Sequence, residues 1–207
     1  KHSFLVQKAE DIPHIVKKAF HIATTGRKGP VVIDIPKDFT DPEYKFEFNY
    51  PPEVNMRSYN PPKGADTSKI KEAADLIATA KKPVIYSGGG VNQNNASEEL
   101  TALAKLLNFP VTNTLMGLGA FPGSDPQFMG MLGMHGTYQA NMAMHNADLI
   151  IAVGARFDDR ITNDPKQFAL SAKKIHIDVD PASVSKIIHA DVPIVGSAKE
   201  SLTALIE

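Results

Sequence analysis

The stretch ADLIIAVGARFDDR, Ala147 to Arg160, passes from an unbroken apolar run into a glycine, and then into two arginines that bracket two aspartates. A short run such as Leu149 to Val153, without polar alternation, marks a strand buried on both faces, which is the habit of parallel sheets covered by helices. In open sheets of that kind, ligands bind beyond the carboxyl ends of the strands. The charged tail, Arg156 to Arg160, therefore falls where a ligand is met.

Working outward, the same pattern repeats. Ile70, Ala73, Ala74 and Ile77 recur at helical spacing, then Pro83 to Ser87 reads as a strand. Leu100, Leu103, Ala104 and Leu107 mark a second helix, followed by a strand over Pro110 to Thr114. A loop-rich stretch leads to a helix near Tyr138 to His145; beyond the Leu149 strand come strands at Lys174 to Val179 and Val192 to Val195, and a closing helix from about Lys199. Strands alternating with helices predict an α/β fold, a doubly wound parallel sheet of the Rossmann-like kind.

Ahead of this domain, Ile12, Ile15, Val16, Ala19 and Ala23 predict a helix over 11–26, with Asp11 as N-cap, Pro13 in its first turn and Gly26 past its end. Val31 to Pro36 reads as a buried strand. One helix and one strand cannot bury a core, so residues 1–48 read as the tail of a preceding domain, and the edge of that strand is expected to be unpaired. The chain opens at Lys1, without an initiator Met, which suggests a piece of a longer protein. Residues 49–66, with Pro51-Pro52 and Pro61-Pro62, read as an extended linker, and 67–207 as the second domain.

Composition narrows the function classes. Hydrophobic residues make up 43% and charged ones 22% of 207, the range of an ordinary globular chain. The 22 basic and 23 acidic residues are interleaved and leave a net charge of -1, which disfavours a nucleic-acid partner. No run reaches the roughly 20 apolar residues of a membrane span, no leader pattern appears, and a cytoplasmic location is expected. There is no cysteine, so disulfides and thiolate chemistry are excluded. His135 and His145 lack metal-ligand spacing, and no metal site is expected.

The strand ends carry what chemistry there is. They are Ser87-Gly88-Gly89-Gly90, Thr114-Leu115-Met116-Gly117, Gly154-Ala155-Arg156, Asp178-Val179-Asp180-Pro181 and Gly196-Ser197-Ala198. A missing Cβ lets the backbone approach a phosphate or a ring, although glycine also serves tight strand-to-helix turns. Gly88 to Gly90 does not continue as G-x-G-x-x-G, so the ordinary dinucleotide fingerprint is not met. Asp178 suits a ribose hydroxyl or, equally, an Asx turn ahead of Pro181. Arg156 and Arg160 suit phosphate or carboxylate. The stretch Gly130 to Tyr138, with Met131, Met134 and His135 among three glycines, offers soft surface for a flat ring. Neither a nucleophile elbow nor a P-loop is present: the pattern is a cradle without an evident acid, base or nucleophile.

GRKGPVVIDIPKD (26–38), KKPVIYSGGGV (81–91), TNTLMGLGAFP (112–122), MLGMHGTYQANMAMHNADLIIAVGARFDDR (131–160) and HIDVDPASVSK (176–186) together resemble the catalytic subunits of the acetohydroxyacid (acetolactate) synthase family of thiamine diphosphate enzymes. The resemblance runs over essentially the whole chain, in order. It implies the central, FAD-binding domain of three, preceded by the last helix and strand of the first. The chain has no Gly-Asp-Gly, the motif that holds diphosphate and magnesium in the family's third domain, so no catalytic residue is expected within it. For a whole protein, the resemblance implies joining two pyruvates, or pyruvate and 2-oxobutyrate, into precursors of branched-chain amino acids. It also implies thiamine diphosphate and magnesium bound elsewhere, a homodimer or homotetramer, and a small regulatory subunit. The alternatives are the central domain of a pyruvate oxidase or glyoxylate carboligase, or a nucleotide-binding or assembly module without activity.

Carried onto this sequence, the resemblance assigns FAD contacts to Gly88, Gly89, Gly90, Thr114, Leu115, Met116, Leu132, Gly133, Met134, His135, Gly154, Ala155, Arg156, Asp158, Arg160, Asp178 and Val179. Gly196, Ser197 and Ala198 stand where the family has Gly-Asp-Ala, which leaves Ser197 a backbone contact. Arg160, Met134, Asp159 and Lys1 match positions of the family's substrate channel, with Arg160 addressed to the second oxo acid.

Overall fold

The computed structural model describes residues 1–62 and 64–207. The chain divides into two compact units, Lys1–Pro61 and Pro62–Glu207; the proline-rich stretch 49–66 spans this division, with position 63 outside the described residues.

The first unit contains β1 (His2–Leu5), α1 (Ile12–Thr24) and β2 (Val31–Asp34). The sequence pattern does not foresee β1, a four-residue strand that is mostly exposed and carries His and Ser. β1 occupies one edge of β2 in parallel, His2 opposite Val31 through Leu5 opposite Asp34, and no strand among the described residues pairs with the other edge. β2 alternates partly buried and exposed residues, which corrects the expectation of a buried strand. Asp11 precedes α1 in helical geometry and its side chain makes no cap bond, so that part of the predicted helix start is also corrected. At the other end of α1, the Lys1 ammonium donates to the carbonyls of Ile22 and Thr25 and to the Tyr59 hydroxyl. A cation thus sits on the orphan carbonyls of a helix C-terminus, where the helix dipole favours it. Lys17 likewise donates to the carbonyls of Pro51 and Pro52 and lies over the Tyr50 ring.

The second unit runs α2 (Ile70–Thr79), β3 (Pro83–Ser87), α3 (Gly89–Gln93), α4 (Ser97–Leu107), β4 (Val111–Asn113), β5 (Phe128–Met131), α5 (Tyr138–His145), β6 (Leu149–Val153), α6 (Asp159–Thr162), β7 (Lys173–Asp178), β8 (Val192–Val195) and α7 (Ala198–Ile206). Its six strands pair in parallel in the order β5-β4-β3-β6-β7-β8. The chain builds outward from β3 to one edge, returns to the other side of β3 at β6, and builds outward again, the doubly wound arrangement with its switch point between β3 and β6. Edge strand β5 is not legible in the sequence, because it contains Gly130 in a left-handed conformation and pairs with β4 through an irregular register.

Each sheet face has its own core. Ile85, Val111, Ile151, Val153, Ile175, Ile177 and Ile194 pack with Leu100, Leu103 and Leu202 on one face. On the other, Val84, Tyr86, Ile150 and Ala152 pack with Leu132, Met144 and Phe157. At the opposite end of the sheet from the glycines, the Asp148 carboxylate accepts from the N–H groups of Lys81 at 2.7 Å and Lys82 at 2.9 Å, tying the start of β6 to that of β3. Burial pushes the Asp148 carboxyl up, but these backbone N–H bonds outweigh it and hold the group below its usual range.

Candidate functional site

The switch point is closed by backbone rather than by side chains. A Cβ on Gly88 would stand 2.2 Å from the Gly154 carbonyl oxygen, one on Gly90 2.6 Å from the Gly154 Cα, and one on Gly154 2.5 Å from the Gly90 Cα. Gly154 also has a left-handed φ of +58°. The three glycines therefore seat the ends of β3 and β6 against each other, sealed by Gly88 N–H to Val153 O (2.9 Å) and Gly90 N–H to Gly154 O (3.0 Å). The result is a flush floor at the carboxyl edge with no side chain rising between the strands.

Loops from both halves of the sheet border that floor. The Thr114 hydroxyl accepts from Gly117 N–H at 2.9 Å, and a Cβ on Gly117 would meet the Ser87 carbonyl oxygen at 2.5 Å, so this turn lies hard against the end of β3. Leu115 and Met116 project outward, 69% and 71% exposed. Gly133, at φ +93°, packs its backbone against the Arg160 carbonyl, to which Met134 N–H donates at 3.0 Å. Asn141 clamps the same loop through both its amide atoms on Gly133. Met134, His135, Asp159 and Arg160 are brought to one exposed neighbourhood by these contacts. A cavity of about 500 Å³ opens beneath the loop between Leu132, Met144, Ile161 and Phe168.

The GARFDDR segment alternates inward and outward. Gly154 and Ala155 continue the strand end, and Phe157 turns into the core, while Arg156 and Asp158 face out and pair at 2.6 Å. Phe157 holds φ +55°, a conformation that a bulky residue adopts only when its surroundings impose it. Its ring lies 5.3 Å from Tyr86, 5.2 Å from His176 and 5.9 Å from Phe168, edge-on to the last two. Burial pushes the Tyr86 hydroxyl up, with the Asp158 charge adding and Arg156 opposing. The buried His176 ring meets the Ala155 carbonyl through Nε2 at 2.7 Å. Burial lowers its pKa, partly offset by that bond and by Asp178. Neither Phe157 nor His176 stands out in the sequence; the one signal for Phe157 is a lone aromatic placed between an arginine and an aspartate.

Further along the edge, Asp178 ends β7 and accepts from Asp180 N–H at 2.8 Å, the Asx turn weighed above. Val179 follows it, partly buried. Gly196 donates to the Asp178 carbonyl at 3.0 Å, and Ser197 N–H is occupied by the Gly64 carbonyl at 3.1 Å, with Ala198 buried behind. Lys1 belongs to the other unit, where its ammonium is held as described. Among the described residues no cluster of three or more His, Asp or Glu could hold a metal, and no helix is long and apolar enough to cross a membrane. What the edge offers is recognition: apolar side chains, a guanidinium beside a carboxylate, and a carboxylate at the end of β7.

The sequence of the thiamine pyrophosphate enzyme central domain matches residues 70–205, the whole alternating β/α array. The chain belongs to that family. Outside this domain the similarity extends to both ends of the chain. The acetolactate synthase large subunit of Buchnera aphidicola subsp. Schizaphis graminum is 55% identical over 207 residues, 100% of this chain and 36% of the relative. That of Haemophilus influenzae is 54% identical over 202 residues, 98% of this chain and 35% of the relative. The acetolactate synthase isozyme 3 large subunit of Escherichia coli (strain K12) is 52% identical over 207 residues, 100% and 36%. The chain thus spans about a third of the length of the curated relatives it matches. As a thiamine pyrophosphate enzyme central domain it has the expected mixed α/β build with an all-parallel sheet.

Proposed function

We propose that this chain is the central part of an acetolactate synthase large subunit, acting in the condensation of two pyruvates, or of pyruvate with 2-oxobutyrate, for branched-chain amino-acid synthesis. The observation that carries this reading is identity of about half, unbroken across both units, to proteins of that name. In this reading residues 1–48 close the preceding thiamine-binding domain, 49–66 link it to 67–207, and thiamine diphosphate with magnesium is held by parts of the polypeptide outside the chain. The assembly is a homodimer or homotetramer with a small regulatory subunit, in the cytoplasm. The 207 residues alone are inactive, because the edge supplies recognition and no acid, base or nucleophile.

FAD is the cofactor proposed for the carboxyl edge. The residues fit its parts. The flush Gly88–Gly90 and Gly154 floor admits an extended ligand, and exposed Leu115, Met116 and Met134 give apolar cover for rings. Arg156 offers a fork to the diphosphate, while Asp158 holds that fork. Asp178, Val179 and the Gly196–Ala198 turn lie where the ribose and adenine would extend. Thr114, Leu132, Gly133, His135 and Ala155 complete the border. The flavin is bound without an obligatory redox role, and Arg160 with Asp159 and Met134 faces the oxo-acid channel.

Titration with FAD, following flavin fluorescence and thermal midpoint together, tests this. Saturable binding, weakened by Arg156→Ala and by Asp178→Ala, is expected. Absence of binding both to the chain and to the complete polypeptide would overturn the cofactor assignment.

A further inference from the structure

Strand register creates a slot that no single segment reveals. Tyr86 on β3 is opposite Ala152 on β6, and Ala152 is opposite His176 on β7, so the three form one row on one sheet face. With strands about 4.8 Å apart, the two rings flank a gap that the alanine methyl leaves open. Phe157 folds back from the end of β6 to fill it, 5.3 Å from one ring and 5.2 Å from the other. On the β7 side His176 also reaches past the row to the Ala155 carbonyl at 2.7 Å. A carbonyl only accepts, so Nε2 carries the proton, and Nδ1 is a buried atom without a hydrogen-bond partner among the described residues. The turn is thereby held on both sides of Arg156, at Ala155 by a hydrogen bond and at Phe157 by a seated ring. Arg156 is left to face outward with its partner Asp158.

We propose that His176 is a positioning residue for the cofactor site: by latching Ala155 and walling the Phe157 slot, it presents Arg156, steadied by Asp158, to the ligand's phosphate groups. The inference rests on the FAD reading above. His176 touches no ligand; it acts through the backbone of the turn. A side-chain amide of glutamine places its nitrogen near the position of Nε2, so His176→Gln keeps the donor, whereas His176→Leu keeps bulk and removes it.

The test compares the two variants with the wild type, in both the chain and the complete polypeptide, by FAD titration and by hydrogen exchange at residues 156–158. His176→Leu is expected to weaken FAD binding by about tenfold and to speed exchange at the turn, as loss of a buried hydrogen bond requires, with His176→Gln restoring most of both. Wild-type FAD affinity in His176→Leu, or a His176→Gln variant as impaired as His176→Leu, would overturn the proposal. Should the wild type fail to bind FAD, the cofactor reading falls by itself, and the latch is judged by exchange: unchanged rates at 156–158 in His176→Leu refute it. If His176→Leu does not fold, ¹⁵N NMR of the wild-type imidazole decides, since a proton on Nδ1 rather than Nε2 is incompatible with the latch.

Discussion

Two adjacent rungs of the sheet show how differently its faces are used. One rung runs Val111, Ile85, Ile151, Ile175, Val192 across five strands, β-branched at every position and fully buried. The next runs Thr112, Tyr86, Ala152, His176, Pro193 on the opposite face. The first is uniform and supplies stability by burial alone. The second is graded, with a gap at Ala152, and it converts packing into the direction of a turn. Stability tolerates sameness, whereas positioning needs one small residue beside large ones.

The comparison is broken most forcefully on the uniform rung. Ile151→Ala should cost about 2–5 kcal/mol, the price of a cavity in a core without slack, measured by denaturant unfolding. On the graded rung, Ala152→Leu should cost about 1–3 kcal/mol by overfilling the slot and displacing Phe157, with a changed near-ultraviolet signal from the aromatic cluster. An Ala152→Leu protein as stable as the wild type, with that signal intact, would show that the slot is not filled by Phe157.

Acid sharpens the contrast further, because only the graded rung titrates. His176 has a folded pKa below its ordinary value near 6.5, so the unfolded chain binds the proton first as pH falls. Its contribution to stability is complete above that value and declines below it, until the folded state takes up the proton too. Stability measured from pH 7 to 5 should therefore fall more in the wild type than in His176→Gln. The smallest effect belongs to the outward pair: Arg156→Ala should change stability by no more than about 0.5 kcal/mol, as for other exposed ion pairs, while weakening FAD binding.

Much of the architecture was legible beforehand. The runs 83–87 and 149–153 announce themselves because a strand buried on both faces needs apolar residues at every position. β1 and β5 were not legible, being short, partly exposed and interrupted by polar residues or glycine, so that pairing partners rather than composition make them strands. At the site, glycine at the strand ends pointed to close approach, but not to what approaches. The structure shows that Gly88, Gly90 and Gly154 first approach one another, and the cofactor assignment rests on the surface this leaves.

Sequence by itself determined the alternation of strand and helix, the apolar interior and the concentration of glycine and charge at strand ends, since each follows from local periodicity and backbone freedom. Only the tertiary structure decided that β6 returns beside β3, that Ala152 lies between Tyr86 and His176, and that Phe157 turns inward while Arg156 and Asp158 turn out. Those facts depend on which residues stand opposite across strands far apart in the chain, and register between distant strands is set by the packing of the whole sheet.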